Sequence, residues 1–244
     1  MAPLSLRRLT GTLLILVPLT FTICFTLLQM LFEYPDILRQ PTADVLTKFQ
    51  AGGNGLIAVW YVLTLSALLL VPVAVLMRRV LATDADSASL SVATAFGVLA
   101  GLVQTLGFLR WPFLVPHLAQ AYLAPDASEA QRAAAAMVFE AFHRYAGMGV
   151  GEHLGYLSTS VWSLLIALNM LRLPLFGRWL GWSGMLLALG IAVGLLEPAG
   201  LELAGTINAL SYLAWAIWLM VVGVVMIVRR GESVPALRPS PIAR

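Results

Sequence analysis

Apolar residues in this chain run in long blocks, and short charged stretches separate them. A helix that crosses about 30 Å of hydrocarbon needs roughly 20 apolar residues. Six blocks reach that length and predict helices over 9–32, 54–77, 88–112, 147–171, 178–197 and 204–228. The first lies in a run of 24 uncharged residues, Leu9–Phe32. That exceeds the roughly 7–15 residues of a signal-peptide core, and no small-residue cleavage pattern follows. It reads as a spanning helix. Pro18 and Pro72 fall inside the first two helices and predict kinks there.

The connections are unequal. Residues 78–87 and 172–178 are short, whereas 33–53 predicts a loop with Pro35, Pro41 and Gly52-Gly53. The longest excursion, 117–146, contains Ser128 and Gln131 in capping-box register ahead of Ala133–Ala136. That pattern predicts an extra helix from about 128, which either lies at the interface or leads directly into the fourth span. After Arg230 the chain has Pro235, Pro239 and Pro241 and no apolar face to bury. Residues 231–244 therefore predict a disordered tail on a single transmembrane domain, 1–230. The expected fold is all-α, a polytopic membrane bundle of six transmembrane helices.

Charge sets the expected orientation. Only 11% of residues are charged and 60% are hydrophobic, against about 25% charged in soluble domains. A water-facing shell cannot be built from that composition. The net charge of +3 does not imply nucleic acid, because the basic residues form no groove-binding patch. They sit at helix ends. With the N-terminus cytoplasmic, Arg7, Arg8, Arg78, Arg79, Arg172, Arg178, Arg229, Arg230, Arg238 and Arg244 lie inside. Only Arg39, Lys48, Arg110, Arg132 and Arg144 lie outside. This asymmetry predicts both termini on the cytoplasmic side of the membrane. All three histidines and nine of the twelve acids then fall outside. Cys24 is alone, so no intrachain disulfide can form.

At about 1.5 Å rise per residue, every span reaches the outer hydrocarbon edge at a polar or amphipathic residue. These are Gln29 to Glu33, Trp60-Tyr61, Arg110, Glu152-His153, Glu197 and Asn208. Interfacial anchoring accounts for such a belt. A shared outward-facing pocket accounts for it too, and would be lined by Arg110, Glu152, His153, Tyr156, Glu197 and Asn208. Opposite charges at membrane depth predict that Arg110 pairs with Glu152, Glu197 or both. Glu152, Tyr156, Thr159 and Ser163 recur at i, i+4, i+7 and i+11, a stripe on one helical face expected to point into the bundle. Beside it, Gly147, Gly151 and Gly155 form a small-residue ladder for close helix packing.

Enzyme motifs are sparse. Glu140-x-x-His143 has no second copy, so a di-iron bundle is excluded. Glu140, His143 and His153 form a candidate metal set only if the helix bends at Gly147, Gly149 or Gly151. On a straight helix ten residues span about 15 Å, too far for ligands each roughly 2 Å from one ion. Gly181-Trp182-Ser183-Gly184 is similar to a rhomboid-protease motif, yet no histidine follows His153 to serve as its base. No phosphate-binding loop or dinucleotide glycine pattern occurs in a suitable strand context, and the sequence identifies no cofactor.

His143-x3-Gly147, Gly151-x3-Gly155 and Phe176-Gly-Arg-Trp-Leu-Gly181 together resemble a bacterial multi-pass membrane family known only as a domain of unknown function. The resemblance implies the topology and no activity. The expected role is non-enzymatic binding of a small ligand or ion, as a sensor, accessory subunit or transporter-like protein in the lipid bilayer. A transporter of solute or protons and a metal-dependent membrane hydrolase are the rivals.

Overall fold

Hydrocarbon offers peptide groups no hydrogen-bond partner, so a chain this apolar must satisfy its backbone internally. The computed structural model describes residues 3–82 and 88–229, and among them all regular structure is helical. The helix α1 (Leu4–Phe32) is followed by a 3-10 turn, Asp36–Arg39, then α2 (Thr42–Leu68) and α3 (Leu70–Leu81). Next come α4 (Ala88–Phe113), α5 (Val115–Leu123) and α6 (Glu129–Phe142). A π-helical segment, His143–Leu154, leads into α7 (Gly155–Met170). The chain continues through α8 (Arg178–Val193), a 3-10 stretch Gly194–Ala199, and α9 (Ala204–Val228). The expected tail, 231–244, lies outside the described residues.

Among the described residues five helical stretches are long and apolar enough to cross a membrane: Leu4–Phe32, Thr42–Leu81, Ala88–Leu123, Arg178–Ala199 and Ala204–Val228. The sixth predicted span, 147–171, is built differently. Its first half is the π-helical segment, and the α-helix that follows has only 16 residues. Glu152, His153 and three glycines interrupt the apolar run where the backbone widens.

Two boundaries differ from expectation. The predicted loop over 33–53 is mostly helix, since α2 starts at Thr42. Only Gly53 leaves helical geometry (φ 55°, ψ −153°), a conformation open to a residue without Cβ. The expected kink at Pro72 appears as the break between α2 and α3 at Leu69. Pro72 has no N–H for the Leu68 carbonyl and its ring crowds that oxygen. Pro18, by contrast, is carried inside α1 without ending it. The extra helix begins as the capping box predicts: Ser128 Oγ accepts from the Gln131 N–H at 3.3 Å, and the Ser128 N–H donates to Gln131 Oε1 at 2.8 Å. It then runs directly into the π-helical segment.

Polar contacts mark the two ends of the bundle. At one, an Arg7 Nη donates to the Met226 and Arg229 carbonyls, and Arg229 donates to the Leu175 carbonyl at 3.0 Å. Asn169 donates to Ser89 Oγ near that end, at 2.9 Å. At the other end Arg39 pairs with Glu197 at 2.9 Å, Lys48 pairs with Glu33, and Thr42 donates to Glu140 at 3.1 Å.

Between these ends the helices hold by close packing, because lipid tails are as apolar as the side chains and supply little drive for association. The crossing of α1 and α9 is made at Gly11 and Gly223. A Cβ at Gly223 would stand 2.5 Å from the Gly11 carbonyl oxygen. Trp162, Trp215 and Trp218 fill the interior between α7, α8 and α9. A second cluster lies toward the Arg39–Glu197 end. There Trp60 stacks on Trp111 at 4.7 Å, and the fully buried Phe32 meets Trp111 edge-on at 5.3 Å.

Gly223→Ala should lower the thermal midpoint of the purified protein, with the loss of about 1–3 kcal/mol typical of an overpacked core. Gly55→Ala is the matched control. Nothing lies within 4 Å of a Cβ there, so replacing a helical glycine should raise stability by about 0.5–1 kcal/mol. Equal responses at the two positions would rule out the Gly11–Gly223 crossing.

Candidate functional site

The π-helical segment positions the outer groups. Such segments usually occur as single turns at functional sites; here the segment is 12 residues long. Two close approaches hold it against α4. Gly151 lies on Gly107, where a Cβ on Gly107 would stand 2.7 Å from the Gly151 Cα. Gly147 lies on the Arg110 guanidinium, 2.6 Å from Nη2 by the same measure. The glycine ladder therefore packs, as its spacing predicts, and one of its rungs receives a charged side chain.

Arg110 is only 8% exposed. One Nη donates to the Gly107 carbonyl, Nε is buried without a partner, and Cζ lies 5.0 Å from the Trp111 ring centre. No carboxylate is within ion-pairing distance of it among the described residues. The expected pairing with Glu197 is not formed, because Glu197 is held by Arg39 over Gly205. The Gly147 backbone occupies the space against the guanidinium. Glu152 acts on Arg110 only at longer range, together with Tyr34.

Glu152, His153, Tyr156 and Glu197 line one cavity of about 140 Å³, with Met148, Gly194 and Pro198. Arg110 and Asn208 do not. Asn208 sits behind Gly194, packed against it with Tyr156, and donates to the Ile191 carbonyl at 2.7 Å. A second cavity, about 320 Å³, adjoins the first at Met148. Its walls include Arg39, Thr42, Glu140, His143 and Arg144. The Arg39–Glu197 pair spans the two cavities.

The stripe below Glu152 faces the bundle. Thr159 and Ser163 are fully buried; Gln104 donates to Thr159 Oγ1 at 3.0 Å, and Trp215 donates to Ser163 Oγ at 2.7 Å. These hydroxyls tie α7 to α4 and α9. Glu152 makes no hydrogen bond or ion pair within the described chain, and its carboxylate opens to the cavity.

His143 stacks on Phe139 (5.6 Å between centres, 14° between planes), and its buried Nδ1 is unpartnered. The bend needed for a shared ion between His143 and His153 is not formed. The backbone stays helical from Glu129 to Met170, widening at the glycines instead of breaking. Among the described residues no group of three His, Cys, Asp or Glu side chains could hold a metal. Glu140 and His143 belong to the second cavity and His153 to the first.

Met148, Gly194 and Pro198 complete the wall of the first cavity, and Arg39 reaches it from the second. Tyr34 lines neither cavity but lies within electrostatic reach of Glu152 and Arg110. Burial, with Glu152 adding to it, holds its phenol above the ordinary range, while Arg110 opposes the shift.

Long apolar helices packed through glycine crossings, with charged side chains gathered at the ends, define a multi-pass integral membrane protein. Residues 9–223 match the family model described as a domain of unknown function, DUF4386, and the chain belongs to that family. The match extends well beyond the His143–Gly181 stretch that carries the resemblance. No curated protein and no solved structure matches the chain.

His143 supplies a pH test. Burial pushes its pKa from 6.5 down to about 4, Arg110 and Arg144 push the same way, and the Leu38 backbone and Glu140 oppose them. Between these values the unfolded chain takes up a proton that the folded chain refuses, so stability is lost as pH falls from about 6.5 toward about 4. His143→Gln removes this contribution. The wild-type melting midpoint should therefore fall relative to the variant's as pH drops across that window, and parallel pH profiles would show that His143 is not held neutral.

Proposed function

We propose that this protein is a non-enzymatic ligand-binding membrane protein of the bacterial plasma membrane. It crosses the bilayer six times, with both termini cytoplasmic and the two joined cavities facing outward. Residues 147–171, from within the π-helical segment to the end of α7, serve as the sixth crossing. One observation supports the binding role above the rest: the unpartnered Glu152 carboxylate opens into a formed cavity at the acid-bearing end of the bundle. The basic residues gather at the opposite end, where Arg7 and Arg229 lie, in keeping with a cytoplasmic face. Binding is favoured over transport because the polar stripe beneath the cavity is consumed by interhelical hydrogen bonds and runs into buried tryptophans. Hydrolysis by a metal lacks a gathered ligand set among the described residues.

Reporter fusions after Arg79 and after Arg229 should read cytoplasmic, and one at Gly53 should read external. A cytoplasmic reading at Gly53 would invert the side on which the cavities open.

For binding, the full chain in detergent should be screened by thermal shift against a chemically mixed set of small molecules. Some should raise the melting midpoint of wild type and leave Met148→Trp unmoved, since the larger ring fills the wall shared by the two cavities. A set that moves neither protein, or both alike, would remove the pocket as a binding site.

A further inference from the structure

We propose that the cavity at Glu152 selects a small organic cation, a primary ammonium group carried on a short apolar body. This rests on the reading of that cavity as a ligand site and specifies its chemistry.

The argument begins with which charges a ligand can reach. Glu197 is occupied by Arg39 at 2.9 Å. Arg110 lies outside the cavity wall, buried against Gly147 and Trp111. The Glu152 carboxylate is thus the one charged group lining this cavity that has no partner in the chain among the described residues. An anion placed there would meet like charge first. A cation would supply the partner that the carboxylate lacks, and a primary ammonium brings N–H donors for charge-assisted hydrogen bonds.

The walls set the rest of the ligand. Met148, Tyr156, Gly194 and Pro198 offer mostly apolar surface around the carboxylate. Size is limited as well. The volume of about 140 Å³ is close to that of an engineered protein cavity of about 150 Å³ that takes up benzene. A ligand of about six non-hydrogen atoms fits, with longer molecules extending toward the second cavity past Met148.

Butylammonium, butanol and butyrate share a four-carbon body and differ in charge, so they test the class. Each is titrated into the full chain in detergent, with binding followed by saturation-transfer NMR. Butylammonium should saturate and bind most tightly of the three. Glu152→Gln keeps the shape and removes the charge, and should weaken butylammonium by about tenfold or more. Met148→Trp should abolish its binding and keeps the test decisive should Glu152→Gln fail to fold. Butanol or butyrate binding as tightly as the amine would overturn the cation assignment while leaving the pocket intact. Butylammonium binding unchanged in Glu152→Gln or in Met148→Trp would overturn it too, as would a lack of saturable amine binding. If the amine fails but the mixed screen yields a Met148-dependent compound, the ligand class is wrong and the binding role stands.

Discussion

The outer architecture depends on one contact, the crossing of α4 over the π-helical segment where Gly107 meets Gly151. Nothing larger than hydrogen fits between those backbones. The same approach sets Gly147 on the Arg110 guanidinium, leaving that charge in a slot of its own instead of in the cavity. Two α-carbons in contact therefore decide which polar groups face the ligand space and which are buried behind it. Side chains at this crossing would force the two helices apart.

Much of the fold was legible because the bilayer requirement is written in length. The fifth and sixth helices begin at 178 and 204 as the apolar blocks indicate, and the Ser128 cap begins α6. Gly53 does break α2, as Gly52-Gly53 suggests, but residues 42–52 form helix where the sequence reads as a loop. That stretch is held by tertiary packing, with Val45, Leu46 and Phe49 buried. The π-helical geometry had no sequence signal: three glycines in twelve residues fit a bend, a packing ladder or a widened helix equally well, and only the neighbouring α4 selects among them.

The candidate site was half legible for the same reason. Depth along a helix follows from counting residues, so Glu152, His153 and Glu197 fall at one level with Tyr156 a turn deeper, and the four share a cavity. Azimuth does not follow from counting once a helix widens. Arg110 and Asn208 sit at a similar depth but turn into neighbouring crossings, where a glycine carbonyl and the Ile191 carbonyl receive them. The competitor for Glu197, Arg39, lies on a 3-10 turn whose position depends on tertiary packing.

The Arg7 latch has a consequence for how the bundle is built. Among the described residues its guanidinium finds acceptors at the end of α9, on Met226 and Arg229, more than two hundred residues later in the chain. During synthesis α1 enters the membrane long before those carbonyls exist. Until α9 arrives, the first helix must carry a solvated arginine at its edge and an open glycine face at Gly11. Closure of the bundle is thus a late event, made when the final helix docks on the first and covers both together.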